Sequence, residues 1–180
     1  SNDGDLSTIN GVTAIVNDGY QLNNSGGGGE SNGANRTYMT YQWDAGTGSV
    51  QNNTSGSINA QVKANPTHGF SIAKYTGTGS AATIGHGLSS APKWIAIKNM
   101  TDAESWAVGH DNIGWGYSMK FDDDSARTSG AAIFNGTAPT STLFSVGTNN
   151  RTNSNNDSYI AYIWSEVSGY SKFGTYTGNG

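Results

Sequence analysis

The hexamer Tyr38-Met39-Thr40-Tyr41-Gln42-Trp43 returns 121 residues later as Tyr159-Ile160-Ala161-Tyr162-Ile163-Trp164, each time after an Asn-rich stretch. Read as a strand, the second copy turns Tyr159, Ala161 and Ile163 to one side and Ile160, Tyr162 and Trp164 to the other. Both sides are apolar. Such a strand must be covered twice, as the centre of a sheet or at a contact with a neighbouring module. A second pair follows in the same order. Gly69-Phe70-Ser71 running to Tyr75-Thr76-Gly77-Thr78-Gly79 reappears as Gly169-Tyr170-Ser171 running to Tyr176-Thr177-Gly178-Asn179-Gly180, with one residue inserted. The chain therefore reads as about one and a half copies of a repeating unit, beginning and ending inside copies, a pattern of extended modular proteins.

Gly, Ser, Thr and Asn make up nearly half of the 180 residues, while Asp, Glu, Lys and Arg supply only 12%. Disordered chains combine high charge with few aromatics. Here 11% of residues are aromatic, enough to anchor a core of short strands joined by turns. Long helices are excluded by Gly and Asn in every candidate window. A net charge of −4 without a Lys/Arg cluster argues against nucleic acid as partner. No apolar run has the roughly 18 residues that span a bilayer. The chain has no cysteine, so neither disulfides nor thiolate metal sites hold the fold.

Period-two alternation between turn signals predicts strands at Val12–Val16, Thr37–Trp43, Ser57–Val62, Phe70–Tyr75, Trp94–Lys98, Ser105–Val108, Gly116–Phe121, Ala131–Phe134, Thr142–Val146, Tyr159–Trp164 and Lys172–Tyr176. This is an all-β, jelly-roll-like β-sandwich repeat module with part of a preceding copy. Residues 1–66 would be the end of that copy plus a linker strand, 67–168 a complete module, and 169–180 the start of another. Gly26–Gly29 reads as a flexible loop tip, and Pro92 as a strand start where its missing N–H costs nothing. Residues 1–43 are expected to pack against the module or to exchange strands with a neighbouring subunit.

The ordered blocks Gly69-Phe70-Ser71-Ile72, Tyr75-Thr76-Gly77, Ile84-Gly85-His86-Gly87-Leu88, Ala91-Pro92-Lys93, Trp106-Ala107-Val108, Phe144-Ser145-Val146-Gly147 and Gly169-Tyr170-Ser171-Lys172-Phe173-Gly174 carry a resemblance. Together they resemble a tandemly repeated β module of marine tailed-phage (cyanophage-type) virion structural or fibre-like proteins. The resemblance covers roughly residues 69–180 and implies no catalytic residues. It implies a location on the virion surface, other virion subunits as partners in a homo-oligomer, and host surface polysaccharide as a further ligand. One departure is Gln42, where the later copy has Ile163. The alternatives are a capsid decoration or tail-assembly protein that binds only virion proteins, and a polysaccharide depolymerase.

Candidate chemistry is sparse. Trp115 stands between Gly114 and Gly116, so its face is expected to be uncovered and able to stack on a sugar ring. With Tyr117, Asp111 and Asn112 it forms the expected ligand-contact patch, set against the alternative that Trp115 folds back onto the sheet. Asp122-Asp123-Asp124 is the best calcium candidate, set against a solvated turn whose Asp caps the backbone; no other cofactor is expected. His68, His86 and His110 lack ligand spacing, and Asp3-Gly4-Asp5 lacks the Gly and Glu that a calcium loop requires. A depolymerase would need paired carboxylates, for which Glu104 and Asp111 are the candidates beside Trp115, Glu30 and Glu166 being the other glutamates. The loops 103–115, 122–130 and 148–157 are expected to face the host or a neighbouring subunit.

Overall fold

The computed structural model describes residues 12–16, 19–22, 35 and 37–180, and the chain divides into two units, Ser1–Gln42 and Trp43–Gly180. Gly26–Gly29, Asp3-Gly4-Asp5 and Glu30 lie outside the described residues. In the first unit, β1 (Val12–Val16) pairs antiparallel with β2 (Gly19–Leu22). Residues 37–42 of that unit form no strand, so the predicted strand Thr37–Trp43 is corrected.

The second unit is all-β. Its main sheet holds β3 (Gln51–Asn53), β4 (Ala60–Asn65), β5 (Phe70–Thr76), β7 (Pro92–Asn99), β8 (Ala107–His110) and β12 (Ser158–Ser165). The order is β3-β4-β5-β12-β7-β8, antiparallel throughout. The doubly apolar segment Tyr159–Trp164 is thus placed at the centre, with β5 and β7 on its flanks. Residues 43–66 join this unit because β4 pairs with β5 along six residues.

One face of the sheet is covered by the ribbon of β6 (Ala82–Gly85) and β11 (Leu143–Val146), together with two single helical turns, α1 (Ala131–Phe134) and α2 (Asn150–Asn153). A small hairpin of β9 (Tyr117–Ser118) and β10 (Thr128–Ser129) stands beside β8. Tyr159, Ala161 and Ile163 point into this core with Tyr75, Ile95, Ile97, Ile84 and Phe144. Tyr75 and Tyr159 stack with ring centroids 5.2 Å apart. Ala131–Phe134, predicted as a strand, is a helical turn that buries Ile133 and Phe134; four residues are too few for a period to distinguish the two. Lys172–Tyr176, also predicted as a strand, forms none.

The Asn-rich segment 148–157 is a clamp rather than an outward loop. Thr152 and Asn153 are fully buried. The Asn153 amide donates to the carbonyls of Gly147 and Ser80 at 2.7 and 2.6 Å, while its oxygen accepts the N–H of Thr78. Tyr75 donates to the Thr152 carbonyl at 2.7 Å, and Tyr159 donates to that of Asn150 and accepts the Ser154 N–H, both at 2.7 Å. These bonds join the core tyrosines to the backbone of α2. Gly77 allows the approach: a Cβ there would lie 2.1 Å from the Ser154 carbonyl oxygen.

His86 is fully buried. Its Nδ1 accepts the Leu88 N–H at 3.1 Å, so Nε2 carries the proton and donates to the Thr140 carbonyl at 3.2 Å. Burial holds its pKa below the ordinary value, and the Thr140 contact opposes this more weakly. The unfolded imidazole therefore binds a proton first as pH falls. The stability His86 contributes is fully present above about pH 6.5 and is lost as pH drops toward the depressed folded value. Urea midpoints should decline below that pH, with a flatter decline in His86→Gln. Tyr159→Phe leaves the Ser154 N–H without its acceptor, while the Asn150 carbonyl keeps the Asn99 amide at 3.1 Å, and should lower stability by roughly 1–3 kcal/mol in the same titration.

Candidate functional site: the aromatic face of the main sheet

The strand registers align the second face of the sheet into three cross-strand rows. The first runs Asn65, Phe70, Trp164, Trp94, His110, and the second Lys63, Ile72, Tyr162, Ala96, Val108. The third runs Asn52, Gln61, Lys74, Ile160, Lys98. The face therefore grades from aromatic through aliphatic to amide and cationic. Side chains directly opposite across antiparallel strands lie about 4.5–5.5 Å apart at Cβ, which brings the first row into ring contact. Trp94 and Trp164 stack at 4.5 Å, and Phe70 lies 5.0 Å from Trp164.

Residues from outside the sheet are laid over this row. Trp43, half exposed, meets Trp164 edge-on at 5.2 Å and Phe70 at 6.2 Å. Phe173, from the segment after β12, lies 6.3 Å from Trp94 and 6.4 Å from His110. Phe121 sets its edge against Trp94 at 5.4 Å and Trp106 at 5.9 Å, and remains 54% exposed. Trp106 continues the array to Tyr162 at 6.1 Å. Edge-to-face and offset pairs at these distances contribute about 0.5–1.5 kcal/mol each beyond the area they bury. The Trp164 indole N–H is buried with no acceptor among the described residues.

The sequence patch around Trp115 is arranged differently from expectation. Trp115 is buried, edge-on to Phe134 at 5.5 Å. The glycines beside it do not uncover it, because Gly109 in β8 opens a slot for it: a Cβ there would sit 2.6 Å from the Trp115 ring. The indole of Trp115 donates to Asp111 Oδ1 at 3.3 Å, and Lys93 Nζ donates to Asp111 Oδ2 at 2.7 Å. The Lys93 bond chiefly, helped by that of Trp115, holds the Asp111 carboxyl below its usual range. Asn112 is exposed in the helical turn Asp111–Ile113, where its N–H is accepted by His110 Nδ1. Tyr117 is 37% exposed and carries the Arg127 guanidinium 4.2 Å above its ring. Of the four residues, then, Asp111 and Trp115 touch one another in a structural bond, and the stacking surface expected of Trp115 is absent.

Asp122, Asp123 and Asp124 lie in an exposed turn. Asp123 is bound by the Lys120 ammonium and by the hydroxyl and N–H of Ser125, and these contacts, Lys120 first, hold its carboxyl well below the usual range. Among the described residues no three His, Asp or Glu side chains converge as a metal would require. Glu104 accepts from the Asn150 amide and Glu166 pairs with Lys172 at 3.5 Å, so Glu104 and Asp111 have separate partners. A surface groove along β3, lined by Gly48, Gln51, Asn52, Asn53 and Gly87 among others, offers amides and hydroxyls and no carboxylate. Among the described residues no helix is long and apolar enough to cross a membrane.

Sequence reading missed the aromatic face because its rings come from seven separated segments, and only the folded sheet brings them together. The available signal was that Trp164, Tyr162 and Ile160 needed a cover that the core side could not supply. This is an all-β module with one conventional core and a second, partly open aromatic face. The whole chain, residues 1–180, matches the family described as a domain of unknown function (DUF7483), and the protein belongs to that family. No curated protein and no solved structure matches it.

Truncating Trp164, which is 8% exposed, to Ala should cost roughly 3–5 kcal/mol. Trp43→Ala removes a ring half in solvent and should cost less than about 2 kcal/mol. Chemical denaturation of the two variants checks the order; equal losses would contradict the packing described.

Proposed function

We propose that the protein is a non-enzymatic structural module of a tailed-phage virion, tail-fibre-like or decorating the capsid, whose partners are chiefly further modules and virion subunits. The observation that carries this reading is the placement of Trp43 and Phe173. Each belongs to a segment that resembles part of another copy of the unit, and each lies on the aromatic row of the complete one. Trp43 and its repeat counterpart Trp164 touch directly. A row of this kind serves as a joint, since it fixes the chain entering and the chain leaving a module on one rigid sheet. Function then follows from stiffness and repetition rather than from a reacting group.

A second reading, contact with host surface polysaccharide, is favoured by the exposed Phe121 beside Trp106 and by Tyr117 under Arg127. Aromatic faces of this kind accept the apolar side of a sugar ring, and several copies would raise a weak affinity by avidity.

Small-angle scattering of the chain fused in one, two and three tandem copies tests the scaffold reading. A stiff array lengthens in proportion to copy number, whereas a compact globule of three copies grows only about 1.5-fold in radius of gyration. The globular result would defeat the proposal. For the second reading, tryptophan emission titrated with host polysaccharide should shift, and the shift should shrink in Phe121→Ser.

A further inference from the structure

We infer that two copies of this chain pair face to face through the second face of the main sheet, about a two-fold axis parallel to β12, Lys63 and Lys74 of each copy meeting Asp122 and Asp124 of the other. The inference deepens the structural reading above and rests on it. It starts from how the six lysines of the chain divide. Three are paired with carboxylates: Lys93 with Asp111 at 2.7 Å, Lys120 with Asp123, and Lys172 with Glu166 at 3.5 Å. Lys98 is held by the Glu104 carbonyl at 2.7 Å. Lys63 and Lys74 have no carboxylate at ion-pair distance among the described residues. Both belong to the second face. Lys63 stands opposite Ile72, and Lys74 opposite Gln61 on one side and Ile160 on the other. They are therefore diagonal neighbours on β4 and β5, roughly 7–8 Å apart. Half-buried Ile72, Ile160 and Tyr162 continue their rows toward the middle of the sheet.

The opposite edge of the same face carries the complement. Phe121 rests there against Trp94 and Trp106, with more than half of its ring in solvent. Asp122 and Asp124 follow it in the exposed turn, and among the described residues neither has a cation at ion-pair distance, because Lys120 is engaged by Asp123. The cations thus lie on β4 and β5 and the acids beside β7 and β8, with β12 between the two pairs of strands. A surface divided in this way is complementary to itself when turned about its middle strand, which is the geometry of an isologous contact. The rotation sets Phe121 of each copy toward Ile72 of the other and the aspartates beside the lysines, twice over. The contact then has an apolar middle and a charged rim, as protein interfaces do. An acidic glycan would answer the lysines alone and leave Phe121 beside like charges, so a second copy is the occupant that satisfies both edges.

Charge exchange tests the pairing. One variant carries Lys63→Glu with Lys74→Glu, the other Asp122→Lys with Asp124→Lys. Lys74, Asp122 and Asp124 are exposed and Lys63 is half-buried, and thermal unfolding checks that each variant folds. In sedimentation equilibrium the wild type should dimerise, more weakly as salt is added. Each variant alone sets like charges opposite one another and should self-associate at least roughly tenfold more weakly. Mixed in equal amounts, the two restore opposite charges at both contacts and should dimerise with about the wild-type constant. The neutral pair Lys74→Gln with Asp124→Asn, all at exposed positions, should flatten the salt dependence without reversing any charge. A wild type that stays monomeric at high concentration, or variants that do not recover on mixing, overturn the inference. So does a monomeric wild type that binds alginate, a polyuronate, through Lys63 and Lys74, which would put an acidic glycan in place of the second copy. A rod-shaped tandem array of a chain that does not pair would sink the pairing alone; a globular array of a chain that pairs would sink the scaffold reading alone.

Discussion

A strand with apolar residues on both sides cannot sit at an edge or on a half-solvated sheet, and β12 imposes that condition on everything around it. Its inward residues, Tyr159, Ala161 and Ile163, are fully buried, and its outward Trp164 is 8% exposed. The rest of the second unit follows from supplying two covers. The core side receives the β6–β11 ribbon and the helical turns, pinned by tyrosine hydroxyls to the backbone of α2. The other side receives single aromatic rings from segments distant in sequence. The first cover is continuous and hydrogen-bonded, whereas the second consists of separate side chains.

The row Phe70, Trp164, Trp94 and His110 shows how a sheet register becomes a surface geometry. None of the four is adjacent to another in sequence, yet the ladder sets them side by side. Cross-strand aromatic pairs stabilise a sheet by fractions of a kcal/mol to about 1 kcal/mol each. Their larger effect here is to make a flat, rigid surface on which Trp43 and Phe173 rest. The flat aromatic surface has a cationic border in Lys63, Lys74 and Lys98. Four acids of this unit, Asp111, Asp123, Glu166 and Glu104, are taken up singly by Lys93, Lys120, Lys172 and Asn150.

What could be read from the sequence depended on whether the signal was local. The alternation in Tyr159–Trp164 stated a central strand, and the Pro92 start of β7 was equally plain. The edge strand Gln51–Asn53 carried no apolar alternation, because an edge facing water needs none. Residues 37–43 show the converse. They have nearly the alternation of β12 yet form no strand, since alternation alone does not set a segment into a ladder. Of the two readings of Trp115, the ring folded back onto the sheet is the one its burial fits, and the glycine that mattered was Gly109, whose missing side chain makes room for the ring. The three aspartates from 122 to 124 looked alike in sequence, but Lys120 and Ser125 engage Asp123.

Native-state hydrogen exchange tests the central claim most directly, because opening free energies rank segments by how fully the fold depends on them. At low protein concentration, the amides of Tyr159–Trp164 should exchange only through global unfolding, together with those of the flanking β5 and β7. Those of residues 38–43 should exchange faster by orders of magnitude despite their near-identical pattern. Comparable protection in the two segments, or exchange of β12 through a local opening well below the global free energy, would contradict the account.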